Sequence, residues 1–150
     1  MARDEVFITN VLFCRPPGNR DPLPQEIQNC QDYTFRQLDL IAPKVVCTLG
    51  NFATKLLRAD PTGITRLHGR EEVRTIGPRT VRLLPLYHPD AALYTPAMLA
   101  TLREDFARIP ELLAMDAPEQ PRPVVEPEPV AVAEPEPEAA PPDDSQLGLF

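Results

Sequence analysis

Lys44-Val45-Val46-Cys47-Thr48-Leu49-Gly50-Asn51 decides the fold class. Residues 44–49 are a short run of β-branched and apolar side chains, bounded by Pro43 and Gly50, and predict a buried strand. Gly50 interrupts the run, and residues 51–58 (NFATKLLR) read as a helix. A strand, a glycine and a helix start, in that order, are the layout of an α/β unit, where ligands gather near the carboxyl end of the strand. Cys47 lies mid-strand and reads as a small core residue.

Working outward, residues 6–12 (VFITNVL) predict another strand, running into the Pro-rich loop Arg15-Pro16-Pro17-Gly18-Asn19-Arg20. Pro24 suits a first helical turn, and Ile27, Cys30, Leu38 and Ile41 recur compatibly with a helix that Pro43 ends. On the other side, residues 64–80 are glycine-punctuated and basic and read as a loop or small hairpin. Residues 81–87 predict a third strand, running into His88-Pro89, and Leu99, Leu102, Phe106, Ile109 and Leu112 give an amphipathic helix. The expected fold class is therefore α/β, a three-layer α/β/α domain around a short parallel sheet. So narrow a sheet needs cover at its edges, which leads to the expectation of further chain ahead of Met1.

The chain has 150 residues, but its composition splits it. Residues 1–115 hold 14 basic and 13 acidic side chains, whereas residues 116–150 hold 1 and 9, so the net charge of −7 belongs to the tail. The low overall charge thus does not count against a nucleic-acid partner for the first part. Residues 1–115 form the expected domain; residues 116–144 are Pro/Glu-rich and predict a disordered linker; residues 145–150 stand apart. There Gln146, Leu147, Leu149 and Phe150 place large apolar groups on an acidic tether, the form of a peptide ligand. No apolar run reaches a membrane-spanning length, the first residues lack a signal-peptide layout, and 3 cysteines are sparse for a disulfide scaffold. A reducing, cytoplasmic setting is the plain expectation.

Two residues stand at strand ends where α/β folds gather ligands. Asn10 offers an amide donor and acceptor that suit a pyrimidine edge; a buried Asn bonding its own loop is the plainer alternative. His88 offers an imidazole N–H to a developing oxyanion; a structural histidine before a turn proline is the plainer alternative. Their convergence on one cleft would outweigh either residue alone. Cys14 and Cys30 lie too far apart in sequence for a typical paired metal motif, and two thiolates leave a tetrahedral or cluster site half-built. For Arg15, Arg20, Arg66, Arg70, Arg74, Arg79 and Arg82, phosphate contact and a solvated face are both open.

Taken together, residues 8–22 (ITNVLFCRPPGNRDP) resemble the family 4, iron–sulfur uracil-DNA glycosylases of bacteria and archaea. Glu26-Ile27-Gln28-Asn29-Cys30, residues 43–50, Ile64-Thr65-Arg66-Leu67-His68-Gly69 and residues 84–92 (LPLYHPDAA) follow in that family's order, so the resemblance covers about residues 5–113. It implies base-excision repair, hydrolysis of the N-glycosidic bond of uracil in DNA by base flipping. Asn10 would read the flipped uracil, His88 would stabilise the leaving anion, and Asn19 would help place the attacking water. Cys14 and Cys30 would be two of four ligands of a [4Fe–4S] cluster, regarded in that family as structural. Asp90, Ala91, Ala92 and Leu93 would form the loop that enters the DNA. The resemblance also implies a longer N-terminal side that brings a first strand, a Cys-x-x-Cys pair, a water-activating loop and an aromatic that stacks on uracil. This sequence matches none of those, so an N-terminally truncated enzyme is expected, with a catalytically incomplete, DNA-binding module as the alternative. Residues 146–150 resemble the Gln-Leu-x-Leu-Phe peptide that binds the bacterial β sliding clamp. Uracil-containing DNA, the clamp and a monomeric state complete the expectations.

Overall fold

The computed structural model describes residues 2–20 and 22–121. After single 3-10 turns at Arg3–Glu5 and Pro17–Asn19, helix α1 spans Pro24–Ile41. Strand β1 (Val45–Leu49), helix α2 (Asn51–Arg58), helix α3 (Ile64–Leu67), strand β2 (Glu72–Ile76) and strand β3 (Arg79–Leu86) follow. Helices α4 (Ala91–Tyr94), α5 (Met98–Ala107) and α6 (Ile109–Ala114) complete the order.

Helix α1 starts on Pro24, and the Glu26 carboxylate accepts the Leu23 N–H at 2.8 Å, filling one of the orphan positions of the first turn. It stops where Ala42 turns left-handed and donates to the Leu38 carbonyl at 3.0 Å, just ahead of Pro43. Helix α2 is hooked to the end of β1 inside the protein. The Thr54 hydroxyl donates to the Gly50 carbonyl and lies 2.8 Å from the hydroxyl of Thr48.

The sheet has the order β1-β3-β2. β1 runs parallel to β3, with Val45 opposite Arg82 and Leu49 opposite Leu86, and β2 runs antiparallel to β3. On one face Leu84 and Leu86 pack with Ile109 and Leu112, joined by Val45, Cys47 and Leu49. On the other, Val81, Leu83 and Ile76 pack with Phe35, Leu38 and Leu57, joined by Val46. Helix α6 thus covers one side and α1 with α2 the other, which makes the three layers expected of an α/β/α domain.

Two elements differ from the sequence reading. The sheet is mixed rather than all-parallel, because residues 6–12 form no strand and the third strand is β2. Residues 6–12 lie as an extended arm with Phe7 and Ile8 exposed. The arm is held to α1 by a hydrogen bond from Thr9 to Gln37 and by an edge-to-face contact of Phe13 on Tyr33. A strand exists only when a neighbour completes its ladder, and a short apolar run carries no information about that neighbour. β2 takes the opposite edge because Gly77-Pro78 is too short a connection for anything but an antiparallel hairpin. The predicted amphipathic helix is also split: α5 ends at Ala107, and Pro110 sits in the first turn of α6.

Residues 116–121 stay attached to the domain. The Gln120 side chain accepts from the Thr80 N–H at 3.1 Å and donates to the Thr80 carbonyl at 2.9 Å. It fills the ladder position of β3 just before β1 begins, at the end of the strand opposite Leu86. Arg82 donates to the Asp116 carbonyl beside it. The rest of the expected linker and the peptide at residues 145–150 lie outside the described residues.

Candidate active site

The carboxyl ends of β1 and β3 meet through Gly50, whose N–H donates to the Leu86 carbonyl at 2.8 Å. Gly50 has φ +89°, and a Cβ there would sit 3.2 Å from the His88 Cβ. Only glycine lets the backbone leave β1 in this conformation with the imidazole packed so close. His88 is half exposed, and its Nδ1 accepts the Asp90 N–H at 3.2 Å. In the neutral ring that accepts this bond, the proton is on Nε2. The Asp90 carboxylate lies 3.3 Å from the same Nδ1 and adds negative potential on that side.

The chain after His88 folds back in consecutive tight turns. Ala91, Ala92 and Leu93 donate to the carbonyls of His88, Pro89 and Asp90 at 2.9–3.0 Å. This short helix presents Leu93 and Tyr94 at 79% and 86% exposure. Both side chains stand in water beside the His88 turn. Tyr94 was absent from the sequence reading; its signal is adjacency to Leu93 in a loop already singled out.

The neighbouring rim is residues 64–70. Ile64 N–H donates to the Asn51 side-chain oxygen at 3.1 Å, and Gly69 N–H donates to the Pro85 carbonyl at 2.9 Å. His68 packs on the Tyr87 ring with centroids 4.5 Å apart, and its Nδ1 lies 2.9 Å from the Asp105 carboxylate. Gly69 has φ +68°, and a Cβ there would collide with Asp105, so glycine is what permits the His68–Asp105 approach. None of this bracing is visible in the local sequence, because Asp105 is on α5.

The other candidates belong to other segments of the chain. Asn10 is exposed on the arm along α1, not on a strand beside β3, and no hydrogen bond joins it to the His88 loop among the described residues. Asn19 belongs to the turn Pro17–Asn19. The next residue, Arg20, grips Glu26 with two hydrogen bonds of 2.8 and 2.7 Å. The Arg20 guanidinium, aided by the Leu23 N–H, holds the Glu26 carboxyl at about 2 instead of 4.5. Because the folded value is depressed, this clasp is complete above the ordinary carboxylate range and is lost as pH falls from 4.5 through about 2. Titration of the Glu26 side-chain carboxyl by NMR is expected to show a midpoint near 2, and Arg20→Ala to return it toward 4.5. A wild-type midpoint near 4.5 would refute the clasp.

Cys14 is exposed on the arm, and Cys30 is buried in α1. Burial pushes the Cys47 thiol up to about 11, so it stays protonated within β1. Among the described residues no three His, Cys, Asp or Glu side chains cluster to hold a metal ion. A [4Fe–4S] cluster takes four thiolates, and the cysteines of this chain do not fit it as a set.

The chain, an α/β/α domain with a His-Pro turn at the carboxyl end of its central strand and two exposed large side chains beside it, belongs to the uracil DNA glycosylase superfamily, whose family model matches residues 1–113. The chain is similar to the type-4 uracil-DNA glycosylase of Sulfurisphaera tokodaii, 44% identical over 116 residues, covering 75% of this chain and 53% of that protein. It is also similar to the type-4 uracil-DNA glycosylase of Archaeoglobus fulgidus, 42% identical over 123 residues, 79% of this chain and 61% of that protein. A third relative, the type-4 uracil-DNA glycosylase of Thermotoga maritima, is 34% identical over 94 residues, 62% of this chain and 47% of that protein. The chain thus spans about half the length of the curated relatives it matches. No helix among the described residues is long and apolar enough to cross a membrane.

Proposed function

We propose that this chain carries uracil-excision chemistry in DNA repair, with His88 at its centre. A base cannot be cut from its sugar inside the stack, so the nucleotide must first be flipped out, at a few kcal/mol of unstacking. Leu93, with Asp90, Ala91 and Ala92 shaping its turn, fills the gap, and Tyr94 widens the wedge. The C1′–N1 bond breaks and its electron pair leaves with uracil; water adds to the oxocarbenium-like C1′, and the proton it loses ends on the uracil anion. The charge spreads to the uracil O2, where the Nε2–H of His88 donates. Asn10 reads the O4 and N3–H edge, and Asn19 helps place the water at the sugar. No step passes through an iron–sulfur cluster.

The observation that carries this proposal is the Asp90 N–H on His88 Nδ1, which leaves the ring proton on Nε2 for an anionic leaving group. The test is release of free base from two matched single strands, one with a single uracil and one with thymine there. Release from the uracil strand alone is expected; no release, or equal release from both, sinks the proposal.

The alternative is a catalytically incomplete module that binds DNA without cutting it. Two facts favour it: the separation of Asn10 from the sheet and the share of the relatives' length this chain spans. DNA binding with no uracil release would decide for it.

At the other end of the chain, Gln146, Leu147, Leu149 and Phe150 form the peptide proposed to bind a β sliding clamp. The Gln side chain would bond at the pocket mouth, with Leu149 and Phe150 in the apolar groove. Micromolar strength is enough when the tail acts as a tether. A tail that departs from Gln120, at the end of β3 opposite His88, supports occupancy of clamp and DNA together. Removing residues 146–150 is expected to abolish capture of the clamp in a pull-down; undiminished capture would refute the assignment.

A further inference from the structure

We infer that Arg66 and Arg70 bind backbone phosphates of the strand whose base enters the His88 site. This rests on the proposed DNA substrate but assigns residues and a function of its own. The sequence left seven arginines undecided between phosphate contact and a solvated face, and the structure sorts six of them. Arg20 grips Glu26, Arg74 binds Glu72 and the Arg58 carbonyl, Arg79 binds Asp39, and Arg82 binds the Asp116 carbonyl. Arg66 and Arg70 are exposed and make no side-chain hydrogen bond or ion pair among the described residues.

Their position is fixed by the backbone between them. Residues 64–70 read Ile-Thr-Arg-Leu-His-Gly-Arg, two guanidiniums and no carboxylate. The segment is tied at its start to Asn51, next to Gly50, and at its end to Pro85 and Tyr87, next to His88. The His68–Asp105 pair clamps the stretch between the two arginines. A cationic segment braced along the carboxyl ends of β1 and β3 therefore borders the imidazole. A nucleotide with its base against His88 must lead its flanking phosphates over this rim. Exposed guanidiniums without carboxylate partners give up no existing ion pair when they bind phosphate. His68 acts here as a positioning residue.

The experiment is fluorescence anisotropy of the full chain with a short labelled single strand carrying one abasic analogue, which cannot be turned over. The variants are Arg66→Ala/Arg70→Ala, Arg66→Lys/Arg70→Lys, and Arg79→Ala, at the opposite end of β3. The double alanine variant is expected to bind roughly tenfold more weakly near 50 mM salt, as two exposed charge-assisted contacts warrant. Its salt slope is expected to fall by about 1.4, at about 0.7 per single-strand phosphate. An undamaged strand should lose affinity equally, because phosphate contacts carry no base information. The lysine pair should keep most of the slope, and Arg79→Ala should change little. An unchanged slope in the double alanine variant, an equal loss in Arg79→Ala, or no binding by the wild type overturns the inference. Wild-type uracil release scores the enzyme proposal separately. A chain that binds through Arg66 and Arg70 yet frees no uracil keeps this inference and loses that one.

Discussion

His88→Ala is expected to slow uracil release by about 10²–10³-fold, the usual cost of removing one donor aimed at developing negative charge. The loss should fall on the chemical step and leave DNA affinity nearly intact, because the imidazole meets charge that exists only as the C1′–N1 bond breaks. Folding should be little affected: the ring is half exposed, and its packing is against Gly50. His88→Asn retains an amide N–H and should recover part of the rate. Single-turnover kinetics with enzyme in excess isolate the step. A rate within about threefold of wild type in His88→Ala would remove the imidazole from the leaving-group role.

Leu84→Ala is expected to cost about 2–5 kcal/mol of folding stability. Leu84 is fully buried on the central strand, where it meets Leu86, Ile109 and Leu112, so a truncation there leaves a cavity between β3 and α6. A domain of this size has few such side chains, and each is a large share of a net stability of about 5–15 kcal/mol. Phe106→Ala is the matched control, since that ring is 41% exposed and its loss should cost much less. Denaturant titration of both variants checks the pair. A smaller loss in Leu84→Ala than in Phe106→Ala would contradict the layered packing.

What the sequence discloses and what it conceals divide along physical lines. β1, α2 and the end of β3 were legible because their signals are local: a β-branched run, a glycine at the break, a proline after the histidine. The layers followed from them. Residues 6–12 carry an equally apolar signal and still form no strand, because pairing depends on a neighbour that no local pattern names. In the sequence β2 stays open between a loop and a small hairpin, for the opposite reason. Glu72-Val73-Arg74-Thr75-Ile76 is an edge strand with exposed polar positions, so it resembles a loop until Gly77-Pro78 turns it back on β3. The α5–α6 break sits inside a continuous apolar periodicity that Pro110 tolerates in a first turn.

The site divides in the same way. His88 was legible from its place after an apolar strand. The Asp90 N–H that orients it was not, since a backbone donor leaves no trace in residue type. From the strand pattern, Asn10 was linked to His88 through a shared sheet, and that part of the link fails with the strand; the link through the family resemblance does not depend on it. The bracing of residues 64–70 by Asn51, Tyr87 and Asp105 joins segments up to 37 residues apart and is read only in three dimensions.

The decisive measurement is release of free uracil from a labelled uracil-containing single strand by the 150-residue chain, in EDTA, beside His88→Ala at equal concentration. The expected result is uracil freed by the wild type and lost in His88→Ala, with both proteins folded. Folded wild type that binds the strand and frees no uracil would contradict the excision chemistry assigned to His88.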